Sequence, residues 1–273
     1  PDRVKILERI DEYERSGRFD EDVEDDPPSR AIEPGEVDYL RKKLSSKIKC
    51  KSAYSMARKF LNGILENKQM IVSDIVGVEN FAALESGAIV TCNHFNAFDS
   101  FAMQMAYESA GHKKRKLYRV IREGNYTSFP GFYGYLMKHY NTLPLASKPA
   151  AMKEFVRATD TLIKEGNFVL IYPEQSMWWN YRKPKPLQDG AFSLAVRNKA
   201  PIVPIFITME DSDVPDGDGF YVQEYTLHIL PAIYPDPTLS SAEAKERMKK
   251  ENYEAWVRTY EEFYQKPLVY AET

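Results

Sequence analysis

Cysteine is scarce: Cys50 and Cys92 are the two that the 273 residues contain. Two thiols cannot build a disulfide framework or a cysteine-based zinc site, and they point to a reducing compartment such as the cytosol. Long apolar runs are missing as well. The longest, Phe168 to Tyr172, has five residues, against about 20 for a bilayer-spanning helix. No apolar stretch of the signal-peptide kind stands at the N-terminus. Histidine occurs four times, and His112, His139 and His228 show no spacing that would ligate a metal. There is no Gly-x-Gly-x-x-Gly and no P-loop. Net charge is −3, too small for a general attraction to nucleic acid. A membrane-spanning chain, a disulfide scaffold, a glycine-loop nucleotide binder and a charge-driven nucleic-acid binder are thereby excluded.

What is present is ordinary for a soluble α/β protein. Hydrophobic residues make up 43% and aromatic residues 13%, ample for a large core or an apolar pocket. The length suits one domain with extensions. Charge is placed unevenly. Residues 1–33 hold twelve acids against six bases, and Asp20–Pro28 reads as a loop or linker. From Arg41 to Leu65 there are eight Lys or Arg and no acid, with Ala53, Met56, Ala57, Phe60, Leu61, Ile64 and Leu65 at helical spacing. Such a helix can lie on an anionic membrane surface or pack its stripe on the core with a solvated basic face. His112–Lys116 is a second basic cluster, a solvated loop or a contact for anionic lipid or an acidic carrier protein.

From residue 70 on, strand and helix patterns alternate. Met70–Val78, Ala88–Cys92, Lys116–Ile121, Phe168–Tyr172, Pro201–Thr208 and Tyr221–Ile233 read as strands. Asp99–Ser109, Pro149–Lys164 (opened by proline, stopped by Gly166), Ala191–Asn198 and Ser240–Gln265 read as helices. The pattern predicts a mixed, mainly parallel sheet covered by helices, residues 67–273, preceded by an N-terminal helical region, residues 1–66. Asp211–Gly219 has the acids of a calcium loop, but the spacing slips by one and position twelve is Val222, so it reads as a polar hairpin loop.

Two strings carry chemistry. Cys92-Asn-His-Phe-Asn-Ala-Phe-Asp-Ser100 follows a buried strand and opens a helix. With His94 in the turn and Asp99 in the first helical turn, the carboxylate can reach back to the imidazole. An aspartate on one ring nitrogen fixes the tautomer and stabilises the imidazolium when the other nitrogen takes a proton, which is what a general base on a hydroxyl needs. Cys92 itself, on a buried strand, reads as inert core. The second string, Ile171-Tyr-Pro-Glu-Gln-Ser-Met177, also follows a short buried strand and should share a sheet rim with His94. Trp178 and Trp179 come directly after it, suited to an acyl pocket wall, a membrane interface or core packing.

Taken in order, Val76-Gly-Val-Glu-Asn80, Asn93-His94 with Asp99, Tyr172-Pro-Glu-Gln-Ser176, Gly190-Ala-Phe192 and Pro201-Ile-Val-Pro-Ile205 resemble the motifs of the glycerolipid acyltransferase family. The bacterial type of that family is the 1-acyl-glycerol-3-phosphate acyltransferase. The resemblance covers roughly residues 70–208. It implies acyl transfer from acyl-CoA or acyl carrier protein to the hydroxyl of a lysophospholipid or related acceptor, without a cofactor or metal. His94 would be the general base and Asp99 its orienting partner, with backbone N–H groups on the oxyanion. Glu174, Gln175 and Ser176, with Asn96 and Arg122, would bind substrate. Members often carry N-terminal membrane-docking helices, which places the chain at the cytosolic membrane face. Gln175 replaces the family's glycine, Ser176 its threonine and Met177 its arginine, and Asn141–Ser147 lacks the arginine of the family's middle block. Arg122, Lys148, Arg182 and Lys183 are the cations that could substitute for these on a phosphate. A thioester hydrolase on the same histidine, or a lipid-binding module without catalysis, are the rival readings.

Overall fold

Every strand among the described residues joins one sheet, and the sheet decides where the motif loops go. The structure is a computed structural model that describes residues 3–26 and 28–271; Pro27, inside the stretch read as a loop, lies outside the described residues. In chain order the elements are α1 (Arg3–Arg15), α2 (Leu44–Glu66), β1 (Ile71–Val76), α3 (Val78–Ala82), β2 (Ala88–Cys92), α4 (Asp99–Ser109), β3 (Leu117–Ile121), α5 (Glu123–Ser128), α6 (Gly131–His139), β4 (Thr142–Pro144), α7 (Pro149–Lys164), β5 (Phe168–Ile171), α8 (Gly190–Asn198), β6 (Ile202–Gly217), β7 (Phe220–Ile229) and α9 (Ser241–Tyr264).

The seven strands run in the order β1-β7-β6-β2-β5-β3-β4. All neighbours are parallel except β6 and β7. β2 is buried along its whole length, as a strand covered on both faces must be. Its side chains alternate between two cores. Ala88, Val90 and Cys92 face Ala57, Leu61, Ala102 and Leu136 of α2, α4 and α6. Ile89 faces Phe155 and Ile163 of α7 and Phe192 of α8. Burial pushes the Cys92 thiol well above its ordinary pKa, which leaves it unreactive.

Several boundaries follow from local chemistry. α7 begins with Pro149 and ends where Gly166 turns at φ 86° and donates to Ile163 O at 2.9 Å. α9 opens with a capping box between Ser240 and Glu243. The Gly77-Val-Glu-Asn80 string joins β1 to α3. Gly77 sits at φ 76°, and a Cβ there would lie 2.1 Å from Ile229 O, so no other residue fits. Asn80 Nδ2 donates to the same carbonyl at 2.8 Å.

The Asp211–Gly219 stretch differs from the expected loop. β6 continues to Gly217 and β7 resumes at Phe220, so the turn itself is Asp218-Gly219, both at positive φ. Asp-Gly is the residue pair that a tight two-residue hairpin favours. The acids before it are polar because this end of the ribbon projects into solvent. Exposure, and not a break in the strand, explains the composition.

The N-terminal residues share the cores of the sheet. α2 buries Ala53, Ala57, Leu61 and Ile64, whose small alanines let the helix come close. Leu44 and Ile48, in its first turns, stay exposed among lysines. Residues 16–26 and 28–43 run as irregular chain. Phe19 and Val23 pack on Trp178, and Ile32, Val37 and Tyr39 join the second core.

Candidate active site

β2 and β5 are adjacent and parallel, with Thr91 beside Ile171 at their carboxyl ends. The segments that leave them, from Asn93 and from Tyr172, therefore emerge side by side on one rim, where sites in open α/β sheets form. Asn93 anchors its turn to β6: its Oδ1 accepts from Ile207 N at 2.8 Å and its Nδ2 donates to Ile207 O at 3.0 Å. Asn96 closes the turn, its Oδ1 accepting from Phe98 N at 3.0 Å and its Nδ2 lying 3.4 Å from Asn180 Oδ1.

His94 and Asp99 are brought together. Nδ1 lies 2.6 Å from Asp99 Oδ2. The carboxylate can only accept, so Nδ1 carries the hydrogen and Nε2 is the nitrogen left with its lone pair. Asp99 sits in the first turn of α4, where the helix favours negative charge. It is almost fully buried and takes two further donors, Tyr172 Oη at 2.8 Å and Phe95 N at 3.3 Å. The His94 ring, one quarter exposed, stacks on Tyr172 with centroids 4.2 Å apart. Tyr172 thus holds both partners. Burial, with the Asp99 charge beside it, raises the phenol far above its ordinary value, so it stays a neutral donor. Tyr172 stands in the second motif string without a role of its own in the sequence; its place immediately after β5, on the rim shared with the histidine turn, is the signal for one.

Glu174 and Ser176 point inward. Glu174 Oε2 accepts from His94 N at 3.0 Å and Oε1 from Lys185 N at 2.8 Å, so both oxygens tie loops together. Ser176 Oγ donates to Phe19 O at 2.8 Å and accepts from Lys185 Nζ at 2.7 Å. Lys185 was not singled out in the sequence; its position between Pro184 and Pro186 is the one irregularity that marked it. It is fully buried, its ammonium also reaching Ser176 O at 2.6 Å and lying 4.7 Å from the Trp178 ring centre. Burial lowers it to about 8 despite the attraction of Glu174. Burial likewise raises the Glu174 carboxyl, against Lys185 and the two N–H donors.

Gln175, in place of the family's glycine, has φ 64°. A side chain in that left-handed region costs about 1–2 kcal/mol. The corner keeps a glycine conformation although the residue has changed. Trp178 is wholly buried against Phe19, Ile6, Ile10 and Val23, its Nε1 donating to Glu21 O at 2.9 Å. It is a core residue that clamps the N-terminal segment. Trp179 is partly buried against Phe220.

The candidate cations all have carboxylate partners. Arg122, at the end of β3, donates Nη1 to Asp22 Oδ2 at 2.6 Å and Nη2 to Asp22 Oδ1 at 2.7 Å. Nη1 also reaches Asp26 Oδ2 at 3.0 Å, and Nη2 reaches Gln175 O at 3.0 Å. Lys148 pairs with Glu33, Arg182 with Asp211 and Lys183 with Glu14.

Comparison with known proteins identifies the family and the fold. The family model described as Acyltransferase matches residues 72–208, a span that runs from β1 through both motif loops into β6. The chain belongs to the acyltransferase family. The chloroplastic 1-acyl-sn-glycerol-3-phosphate acyltransferase of Brassica napus is 24% identical over 146 residues, which are 53% of this chain and 40% of that protein. The crystal structure of the 1-acyl-sn-glycerophosphate acyltransferase PlsC from Thermotoga maritima superposes with a TM-score of 0.52 at 16% identity. That match covers 85% of this chain and 87% of the other, and it establishes the shared fold. The expected mixed, mainly parallel sheet covered by helices is what this chain has.

Proposed function

We propose that this protein is an O-acyltransferase that moves a fatty acyl group from a thioester, acyl-CoA or acyl carrier protein, to the hydroxyl of a lysophospholipid or related acceptor. The observation that carries the reading is the Asp99–His94–Tyr172 unit, set on the rim of an acyltransferase-family sheet with Nε2 free of any protein partner among the described residues. Both named relatives are 1-acylglycerophosphate acyltransferases, which supports a lysolipid acceptor.

In this reading the acceptor oxygen attacks the thioester carbonyl as its proton passes to His94 Nε2. The charge of Asp99 stabilises the imidazolium across the 2.6 Å hydrogen bond. Collapse of the tetrahedral adduct breaks the C–S bond, and the proton on Nε2 goes to the departing thiolate. A thiol with pKa about 8.5 leaves with little help. Products are the ester and the free thiol. Glu174 positions the base by fixing the His94 backbone, and Lys185 with Ser176 braces that corner.

Membrane association belongs to the same proposal. No helix among the described residues is long and apolar enough to cross a bilayer. The first turns of α2 combine exposed Leu44 and Ile48 with Lys42, Lys43, Lys47 and Lys49, a combination that suits peripheral contact with an anionic cytosolic face.

The test incubates purified protein with an acyl-CoA series and mixed lysolipids and reads the products by mass spectrometry, with His94→Ala as control. A new acylated lipid seen with the wild type and lost at least 10³-fold in a folded His94→Ala supports the reading. Thiol release with free fatty acid alone would make the protein a hydrolase. Retained transfer in His94→Ala would remove the general base.

A further inference from the structure

Resting on the acyltransferase reading above, we propose that Asp22 and Asp26 determine acceptor specificity. By occupying Arg122 they exclude a phosphomonoester, and the acceptor is a lysolipid whose phosphate is capped as a diester.

A phosphomonoester carries a charge of about −1.5 to −2 near neutral pH and is best met by the fork of an arginine. At the two places where the family carries such arginines, this chain has Met177 and the cation-free stretch 141–147. The four cations that could replace them are each held by an acid of this chain. Lys185 is closed off inside the protein on Ser176. None of these five cations is therefore free to meet a dianion.

Arg122 is the decisive case, because Nη2 touches Gln175 O and so abuts the loop that fixes His94. Asp22 takes both arms of its fork, the arrangement a phosphate would adopt, and Asp26 adds a second carboxylate. The segment is not loosely draped. Val23 is buried against Trp178, the partly buried Phe19 stacks on the same ring, and Trp178 Nε1 holds Glu21 O. Six of the seven residues from Asp20 to Asp26 are acidic, so an entering dianion meets repulsion before it meets the guanidinium. A diester carries one charge instead of two, and its cap needs space. A cavity of about 210 Å³ opens beside Arg122, lined by Asp26, Ser29, Glu123, Asn125 and Phe129. Burial pushes the Glu123 carboxyl up, but N–H donation from Ile32 and Ser147 outweighs it and keeps the group below its ordinary value. Apart from Arg122, which the aspartates occupy, the charged residues lining the cavity are the acids Asp26 and Glu123, which disfavour a second phosphate charge.

The experiment measures kcat/KM for lysophosphatidate and for lysophosphatidylethanolamine of the same acyl chain, with one acyl-CoA donor. The proteins are the wild type, Asp22→Asn, Asp26→Asn and the double variant, with melting temperatures taken alongside. The wild type is expected to favour the diester at least tenfold. The double variant should move the ratio at least tenfold toward lysophosphatidate, chiefly through KM. If the double variant melts early, Asp22→Asn alone must move the ratio the same way. A wild type that prefers lysophosphatidate overturns the proposal, as does a ratio unchanged in folded variants. Transfer to neither acceptor by any of the proteins, from acyl-CoA or from an acyl carrier protein thioester, would instead bring down the acyltransferase reading, and this inference with it.

Discussion

Asp99→Asn gives the sharpest test of how the site is wired. Asp99 Oδ2 accepts from His94 Nδ1 at 2.6 Å and from Phe95 N at 3.3 Å, while Oδ1 accepts from Tyr172 Oη at 2.8 Å. An asparagine must put its oxygen on one side and its NH2 on the other. With oxygen toward His94 and Phe95, both N–H donors stay satisfied. The NH2 then faces Tyr172, whose hydroxyl can rotate and accept. The reverse orientation sets the NH2 against two N–H groups and is disfavoured. The His94 tautomer therefore survives and the charge is what disappears. A charged hydrogen bond contributes about 1.5–3 kcal/mol against about 0.5–1.5 for a neutral one. The lost stabilisation of the imidazolium is then about 1–2 kcal/mol, or roughly 5- to 30-fold in turnover. That is well short of the roughly 10⁴-fold fall that accompanies the wrong tautomer in serine proteases. Single-turnover acyl transfer, with melting temperature as the check on folding, measures it. Adding Tyr172→Phe removes the acceptor for the NH2, so the double variant should lose more than the product of the two single effects. Unchanged turnover in Asp99→Asn would refute the electrostatic role of Asp99. A fall of roughly 10⁴-fold would refute the orientation argument built on Tyr172.

Two further outcomes probe the support around the site. Lys185 titrates at about 8 in the folded chain against 10.5 ordinarily, so between those values the unfolded chain binds more protons and stability rises with pH. Chemical denaturation of the wild type and Lys185→Met between pH 7.5 and 10.5 should show the wild type gaining stability relative to the variant as pH rises; a constant difference would refute the lowered pKa of the buried lysine. Trp178→Ala should lower stability by about 3–5 kcal/mol and speed limited proteolysis within residues 16–26, because Phe19, Val23 and Glu21 lose their anchor. An unchanged melting temperature and cleavage rate would show that the segment is held elsewhere.

Periodicity alone determined much of this protein. Phe168–Tyr172 and Ala88–Cys92 are short, largely apolar runs, and Pro149–Lys164 has a sustained helical stripe between proline and glycine; all three elements form, the first ending one residue early at Ile171. Elements with little periodic signal were missed. α6 contains Gly131 and Gly134, and Gly134 is tolerated in a helix because a Cβ there would lie 1.9 Å from Phe129 O. β4 is three residues long, and a strand so short forms only because β3 is there to pair with it.

The motif residues were equally legible, since His94, Asp99 and Glu174 lie in local strings that follow strands. What only tertiary structure decided is what those residues touch. Parallel pairing of β2 with β5 sets Tyr172, 78 positions from His94 in sequence, against the imidazole. Both oxygens of Glu174 turn inward onto backbone N–H groups because burial leaves a carboxylate no other way to keep its hydrogen bonds. Arg122 meets Asp22 one hundred residues earlier in the chain. Local spacing specifies a turn, a helix start or a strand end, because those depend on neighbours along the chain. Charge partners, buried donors and the segment that covers a site are chosen by which distant strands become adjacent, and that choice is made by the packing of the whole sheet.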